Sequence, residues 1–375
     1  MQIGLSDTKT IIEKDSMPYR KKLKILVVIC IAVILVSLCL ETIQRGVISP
    51  LKVVENYRLW MEYSFKKATG GNLYLLKQEI EANGTVYYDV ISRLKITAIT
   101  FICGIMLAMS GSIFQSVFRN PMAAPTMLGV STGVNLGILI LVLQFGGFAV
   151  NMPLEKYVYC YIGAAVMLAI VIGLGKLSSG KNKMSVYDLL IVGAIVSQLV
   201  GAVQTYITYN MENDELLLYQ EISRAISVNT DNISFAFLGI AVLVCIIPMY
   251  MIRFSFNAVC FDNDDSRSMG VNSGAMKLAT LILGTFMITA AMVHCGTVGM
   301  ITLIAPFISR GVFGAEYRKV FWGNLLIGGI LLVVCRDVAS MITFNAEGLP
   351  LGTVVNFVTV PIFVIIMIKQ RRVFE

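Results

Sequence analysis

Residues Arg93 to Gly137 read RLKITAITFICGIMLAMSGSIFQSVFRNPMAAPTMLGVSTGVNLG. The stretch is apolar enough to lie in a membrane. Yet Arg119, Asn120, Pro121 and Pro125 interrupt it, and Gly104, Gly111, Gly129, Gly133 and Gly137 thin it out. In lipid such interruptions persist only where neighbouring helices or a water-filled path satisfy the freed backbone groups. The reading that follows is two helices joined by a turn at Arg119-Asn120-Pro121, with the glycines marking close helix packing near a path.

The rest of the chain agrees with a membrane setting. Of 375 residues 57% are hydrophobic and 14% charged, whereas charged residues make up roughly a quarter of a soluble globular protein. Mean hydropathy is +0.77. The formal net charge of +7 reads as membrane topology, not as affinity for nucleic acid. Eight cysteines are scattered with no C-x-x-C pair, so they read as small core residues and not as metal ligands or disulfides. Lys21-Lys22-Leu23-Lys24 leads into a long apolar run with no small-residue cleavage site, which argues against a cleavable signal.

A hydrocarbon core about 30 Å thick needs about 20 apolar residues per helix. Ten stretches approach that length: 24–42, 92–115, 124–147, 157–176, 186–209, 234–253, 274–294, 297–313, 320–341 and 350–369. The predicted fold is all-α and polytopic. With the N-terminus inside, the cytoplasmic segments hold Arg20, Lys21, Lys22 and Lys24, then Arg119, Lys176, Lys181, Lys183, Arg253, Arg267, Lys277, Arg310, Arg318 and Lys319, and finally Lys369, Arg371 and Arg372. The short external loops hold Lys156, Arg224 and, at a span end, Arg336. This asymmetry places both termini in the cytoplasm. Residues 1–23 form a cytoplasmic tail, 24–375 the membrane domain, and 43–91 an extracytoplasmic elaboration with an amphipathic piece (Tyr57 to Lys67) and a turn at Gly70-Gly71-Asn72.

Two features hint at enzyme chemistry and fall short of it. Gly175 to Asn182 copies the P-loop spacing, but Asn182 stands where a Ser or Thr hydroxyl must hold magnesium, and the stretch follows a membrane helix instead of a strand. The lone His294 has no carboxylate, cysteine or second histidine nearby in sequence, so it reads as a loop or helix-end residue. Intramembrane charge is sparse: Asp337 beside Arg336, and Asp188, both near span ends. Ion-coupled transporters generally need buried carboxylates, so a solute moved by this chain would draw its energy from elsewhere. One of the longest internal loops, 255–272, reads as a short helix, an acidic turn and a second short helix ending at Gly270, a surface able to receive force from a soluble partner.

These residues resemble the FecCD-type permeases, the membrane subunits of ABC importers for iron-siderophores, haem and cobalamin. The likeness covers about 90–370. Arg93-Leu94, Ser110-Gly111, Gln115, Asn120-Pro121, Ala123, Pro125, Leu128 to Ser131 and Gly133 match the first signature block. Asn257, Ser268, Gly270 and Val271 match the coupling loop without its usual Gly-Glu. Gly296, Gly299, Leu303-Ile304, Pro306 and Arg310 match a third block; Asp337, Leu349-Pro350, Gly352, Pro361 and Phe363 match the ending. Phe307 replaces the family's histidine, Thr302 and Thr359 replace glycines, Glu347 sits one residue early, and the loop before Arg93 is unusually long. These departures bear on the solute more than on the fold.

The resemblance implies a type II ABC importer permease in the cytoplasmic membrane of a prokaryote, paired with a second permease chain, with two ATPase subunits beneath and a substrate-binding protein above. ATP and magnesium would be bound by the partner ATPase, and this chain would carry no cofactor, metal or catalytic residue. Coupling would fall to Asn257, Asp262, Asp264, Asp265, Arg267, Ser268, Gly270 and Val271. Docking of the binding protein would fall to Arg93, with Lys95, Arg224 and Arg336 as substitutes. The path and its helix breaks would involve Gly104, Gly111, Asn120, Pro121, Gly129, Ser131, Gly133, Gly299, Pro306, Pro350, Gly352 and Pro361. An iron chelate, siderophore or haem, is the implied solute. A secondary transporter or channel working without an ATPase is the alternative. A membrane enzyme would need an acid-base cluster or an activated nucleophile, and the sequence offers neither.

Overall fold

In the computed structural model, residues 17–44, 50–70, 72–179, 186–224, 232–259, 268–314, 316–344 and 347–374 are described. The described chain is almost wholly helical: α1 (Tyr19–Gln44), α2 (Pro50–Thr69), α3 (Tyr74–Asn83), α4 (Thr85–Val117), α5 (Val130–Phe145), α6 (Pro153–Ser179), α7 (Val186–Tyr209), α8 (Asn213–Arg224), α9 (Asn232–Met251), α10 (Arg253–Val259), α11 (Ser273–Cys295), α12 (Ile301–Phe313), α13 (Tyr317–Met341) and α14 (Leu351–Phe374). Two-residue strands β1 (Thr343–Phe344) and β2 (Glu347–Gly348) pair antiparallel between α13 and α14. Each of the ten predicted spans is a helix. Eight are long and apolar enough to cross a membrane; α12 and the apolar part of α14, Leu351–Ile365, are shorter.

Helix α4 is the axis of the fold. It packs along α13 and α11, and also against α12, while α5 and α6 form a second close pair. Within the membrane stretches of α4 and α11, 67% and 72% of residues are buried; in α1 and α7 the share is 11%. Glycine explains how the central helices approach so closely. A Cβ at Gly104 would meet the Gly328 carbonyl, and one at Gly111 the Thr302 carbonyl. Gly133 and Gly137, four residues apart on α5, face the backbone of Gly163 and Tyr159 on α6, a small-xxx-small contact that lets van der Waals packing drive association.

The turn expected at Arg119-Asn120-Pro121 closes α4. Arg119 takes a left-handed φ of 50°, and the Asn120 side chain accepts from the Met122 N–H at 2.9 Å. A 3-10 turn, Pro125–Leu128, follows and ends at Gly129, whose φ of 75° favours glycine.

Of the 43–91 segment, the described residues are more helical than the expected amphipathic piece and turn. After α2 and the Gly70 turn comes a separate helix α3, and α4 begins at Thr85, seven residues before the predicted span. Leu59, Leu76, Ile80, Tyr87 and Ile91 form a small core there, with Trp60 and Tyr63 packed on it. Together α2, α3 and the first turns of α4 build a small cap. At the other end, α1 starts inside the expected tail, and the Lys22 Nζ donates to the Val312 carbonyl at 3.0 Å.

Candidate functional site

The third sequence block folds into a break between two apolar helices. Helix α11 ends at Cys295, whose thiol lies within hydrogen-bonding reach of Cys103. Cys103 adjoins Gly104, which packs on Gly328 at the midpoint of α13, so α11 stops beside the middle of α4 and α13. Gly296 then takes a left-handed φ of 69°, and α12 does not start until Ile301. Gly299 touches the Thr126 side chain, with 3.3 Å left for a Cβ. At α14 the pattern repeats: Gly352, in the first turn, packs against the Thr297 carbonyl. Two helices thus begin close to this one break.

Pro306 lies inside α12 and Pro361 inside α14. Proline has no N–H for the carbonyl four residues back, so Pro306 leaves the Thr302 carbonyl without its helical donor. Gly111 packs against that same carbonyl, where only a residue without a Cβ fits.

Near the C-terminal end of α4 sits a buried polar tie. The Gln115 Nε2 donates to the Leu303 carbonyl at 3.1 Å, and the Arg310 Nη2 donates to the Gln115 Oε1. Both residues belong to the signature blocks, and their meeting explains why an amide and a guanidinium stand in apolar helices: each supplies what the other lacks.

The loop expected to couple to a soluble partner is described in part. On α10, Phe256 is buried with its ring 4.7 Å from that of Tyr317, and the Asn257 Oδ1 accepts from the Tyr317 N–H at 2.9 Å. Asn257 thereby satisfies an orphan donor at the first residue of α13 and fastens the loop to a helix that packs along α4. Ser268 and Gly270 are exposed, Gly270 with a φ of 77°, and Val271 is half-buried against the core. Asp262, Asp264, Asp265 and Arg267 lie outside the described residues.

The N-terminal part of α4 departs from expectation. Arg93 was assigned to surface docking, but it is 6% exposed because α2 covers it. Tyr57 of α2 faces it, and burial pushes the Tyr57 hydroxyl up to about 12 despite the opposing effect of Arg93. Lys95 and Arg336 are half-buried. Arg224 is the last residue of α8, and its side chain lies outside the described residues. Asp337 accepts from the Ser37 hydroxyl at 2.8 Å, tying peripheral α1 to α13.

Several expected path glycines are also placed elsewhere. Gly104, Gly111, Gly129 and Gly133 are buried between helices of this chain, where they permit packing and line no open space. Pro306 is buried as well, whereas Ser131, Gly299, Pro350 and Gly352 are half-buried and Pro121 and Pro361 are exposed. Asn120 is a turn residue.

His294 is at a helix end, as read, but it is buried and its Nε2 lies 2.5 Å from the Tyr157 hydroxyl. Lys156, expected in a loop, is in the first turn of α6 beside them. No local pattern announced this pair, since α6 and α11 bring it together across 137 residues. Gly175 to Ser179 of the P-loop-like stretch belong to α6, and 180–185 lie outside the described residues. Among the described residues no three His, Cys, Asp or Glu side chains cluster as metal ligands.

Comparison with known proteins agrees with this architecture. The FecCD transport family matches residues 29–369. The hemin transport system permease protein HmuU of Yersinia pestis is 28% identical over 283 residues, covering 75% of this chain and 83% of the relative. The iron-uptake system permease protein FeuC of Bacillus subtilis is 26% identical over 289 residues, covering 75% and 83%. A solved structure of a metal-chelate type ABC transporter in an inward-facing conformation superposes with a TM-score of 0.70 at 19% identity, covering 94% of this chain and all of that one. With a family match over nearly the whole chain and the signature residues converging on one helical core, the protein belongs to the FecCD transport family.

Proposed function

We propose that this chain is the membrane permease of an ATP-driven importer for an iron chelate, a siderophore or haem. The observation that carries the reading is the α10–α13 junction. A loop of the family's coupling pattern is fixed through Asn257 and Phe256 to the start of α13, and α13 packs along the central helix α4. Force applied to the loop by a soluble subunit would therefore reach the core through one rigid helix. Two permease chains enclose the path, two ATPase subunits bind ATP and magnesium below, and an extracytoplasmic binding protein delivers the chelate above. Both termini face the cytoplasm, as the placement of Lys and Arg indicates. The named relatives act on hemin and iron, which supports the solute class.

The sparse buried charge of the sequence argues against the alternative of an ion-coupled transporter. Co-purification tests the reading. The chain expressed with the ATPase and binding protein encoded beside it should yield a complex with two ATPase subunits, and Gly270→Trp should uncouple ATP hydrolysis from uptake. Failure to retain any ATPase, with uptake unchanged by Gly270→Trp, would refute it.

A further inference from the structure

Where α6, α9 and α11 meet, the structure encloses a small polar cavity that the importer reading leaves unused. Pro153, Lys156 and Tyr157 from the first turns of α6, Ser234 from the first turn of α9, and Val293 and His294 from the last turn of α11 line it. Tyr157, Ser234 and His294 are each 3% exposed or less, and Lys156 is half-buried. The Tyr157 ring stacks on Phe237 of α9 with centroids 4.2 Å apart, and its hydroxyl meets the His294 Nε2. These contacts hold the three helices around the space.

Size narrows the guest. The cavity measures about 10 Å³, and one water needs roughly 10–15 Å³. A phosphate or a carboxylate does not fit there; a single water or a monatomic ion does. Charge narrows it further. Among the described residues the Lys156 ammonium has no ion-pair or hydrogen-bond partner, its neighbour Glu155 included, and the Ser234 hydroxyl has none either. No carboxylate lines the space, and the N-termini of α6 and α9, the positive ends of two helices, meet there against the C-terminus of α11. A charge drawn out of water needs a partner. The ammonium can only donate and the hydroxyl can turn to donate, so the cavity repels a cation and suits an acceptor.

We propose that this cavity is a resident site for one monatomic anion, chloride, held by the Lys156 Nζ and the Ser234 Oγ and walled in by the Tyr157–His294 pair. The ion ties α6, α9 and α11 together by supplying the charge that their side chains lack. It is a bound ligand and not a transported solute, so the site stands apart from the importer reading.

Thermal unfolding of the purified full chain in detergent, with chloride replacing gluconate at constant ionic strength, tests it. In the wild type the midpoint should rise by about 2 °C or more and level off as the site fills. Ser234→Ala should raise the half-saturating chloride concentration about ten-fold. Lys156→Met should abolish the response, and Lys156→Arg should keep part of it. A crystal grown in bromide should show one anomalous peak in the cavity, beside the Lys156 Nζ and the Ser234 Oγ. If Lys156→Met fails to fold, Ser234→Ala and the bromide crystal decide the matter. Equal midpoints in chloride and gluconate, with only water in the cavity, would overturn the proposal. So would a chloride response that Ser234→Ala and Lys156→Met both leave intact, which would put the anion elsewhere. A bromide peak with no chloride response in solution would mean an adventitious ion only, and would overturn it too.

Discussion

Helices α4 and α7 are both long and apolar enough to span a membrane, yet 67% of one stretch and 11% of the other is buried. Apolar composition earns both a place in the membrane and says nothing about which becomes the core. The difference lies in small residues and in polar groups with partners. Helix α4 sets Gly104 and Gly111 against the backbones of α13 and α12 and offers Gln115 to α12. Helix α7 instead exposes Ile191, Ile195, Leu199 and Val203, a stripe at helical spacing. Between membrane helices there is no hydrophobic driving force, so close backbone packing and hydrogen bonds decide association.

Substitutions at the two helices should separate by size of effect. Gly111→Val places a branched side chain against the Thr302 carbonyl, on rigid backbone from both sides; overpacking of this kind should cost about 3 kcal/mol or more. The variant should lose its monodisperse peak in detergent size-exclusion chromatography, and a wild-type profile would break the comparison. Arg310→Ala removes the guanidinium from the Gln115 amide and should cost about 1–3 kcal/mol, read as a lowered midpoint in thermal unfolding; Gln115→Ala should not add to it in full, because the two share one network. Asn257→Ala frees the Tyr317 N–H and should cost about 1 kcal/mol, with a larger effect on solute moved per ATP than on stability. Leu199→Ala on α7 should shift stability of the isolated chain by no more than about 0.5 kcal/mol. A loss there comparable to that of Arg310→Ala would show that α7 is as much core as α4.

Much of this was legible in the sequence, and what was not has a physical cause. All ten spans and the Arg119-Asn120-Pro121 turn follow from apolar run length and helix breakers, which are local. Close packing at Gly104, Gly111, Gly133 and Gly137 was read correctly as packing. Its location was not, because spacing shows that backbones approach without showing whether the gap is a contact or a path. The burial of Arg93 was hidden for a similar reason. The 43–91 segment has mixed polarity, and only the folded cap reveals that its α2 helix buries Val53, Asn56 and Leu59 and sets Tyr57 toward the arginine. Thr297 carried no motif at all. Its signal was the glycine pair Gly296 and Gly299 flanking it, which marked a break but not its contact with α14.

A permease of the proposed kind is a passive path opened by a partner's ATP. Reconstitution of the purified permease with its ATPase and binding protein in proteoliposomes, followed by uptake of an iron-labelled chelate, measures that directly. Uptake should require ATP with magnesium on the ATPase side, should require the binding protein on the opposite face, and should be insensitive to dissipation of ion gradients. Chelate uptake by the permease alone, driven by an ion gradient and indifferent to ATP, would contradict it.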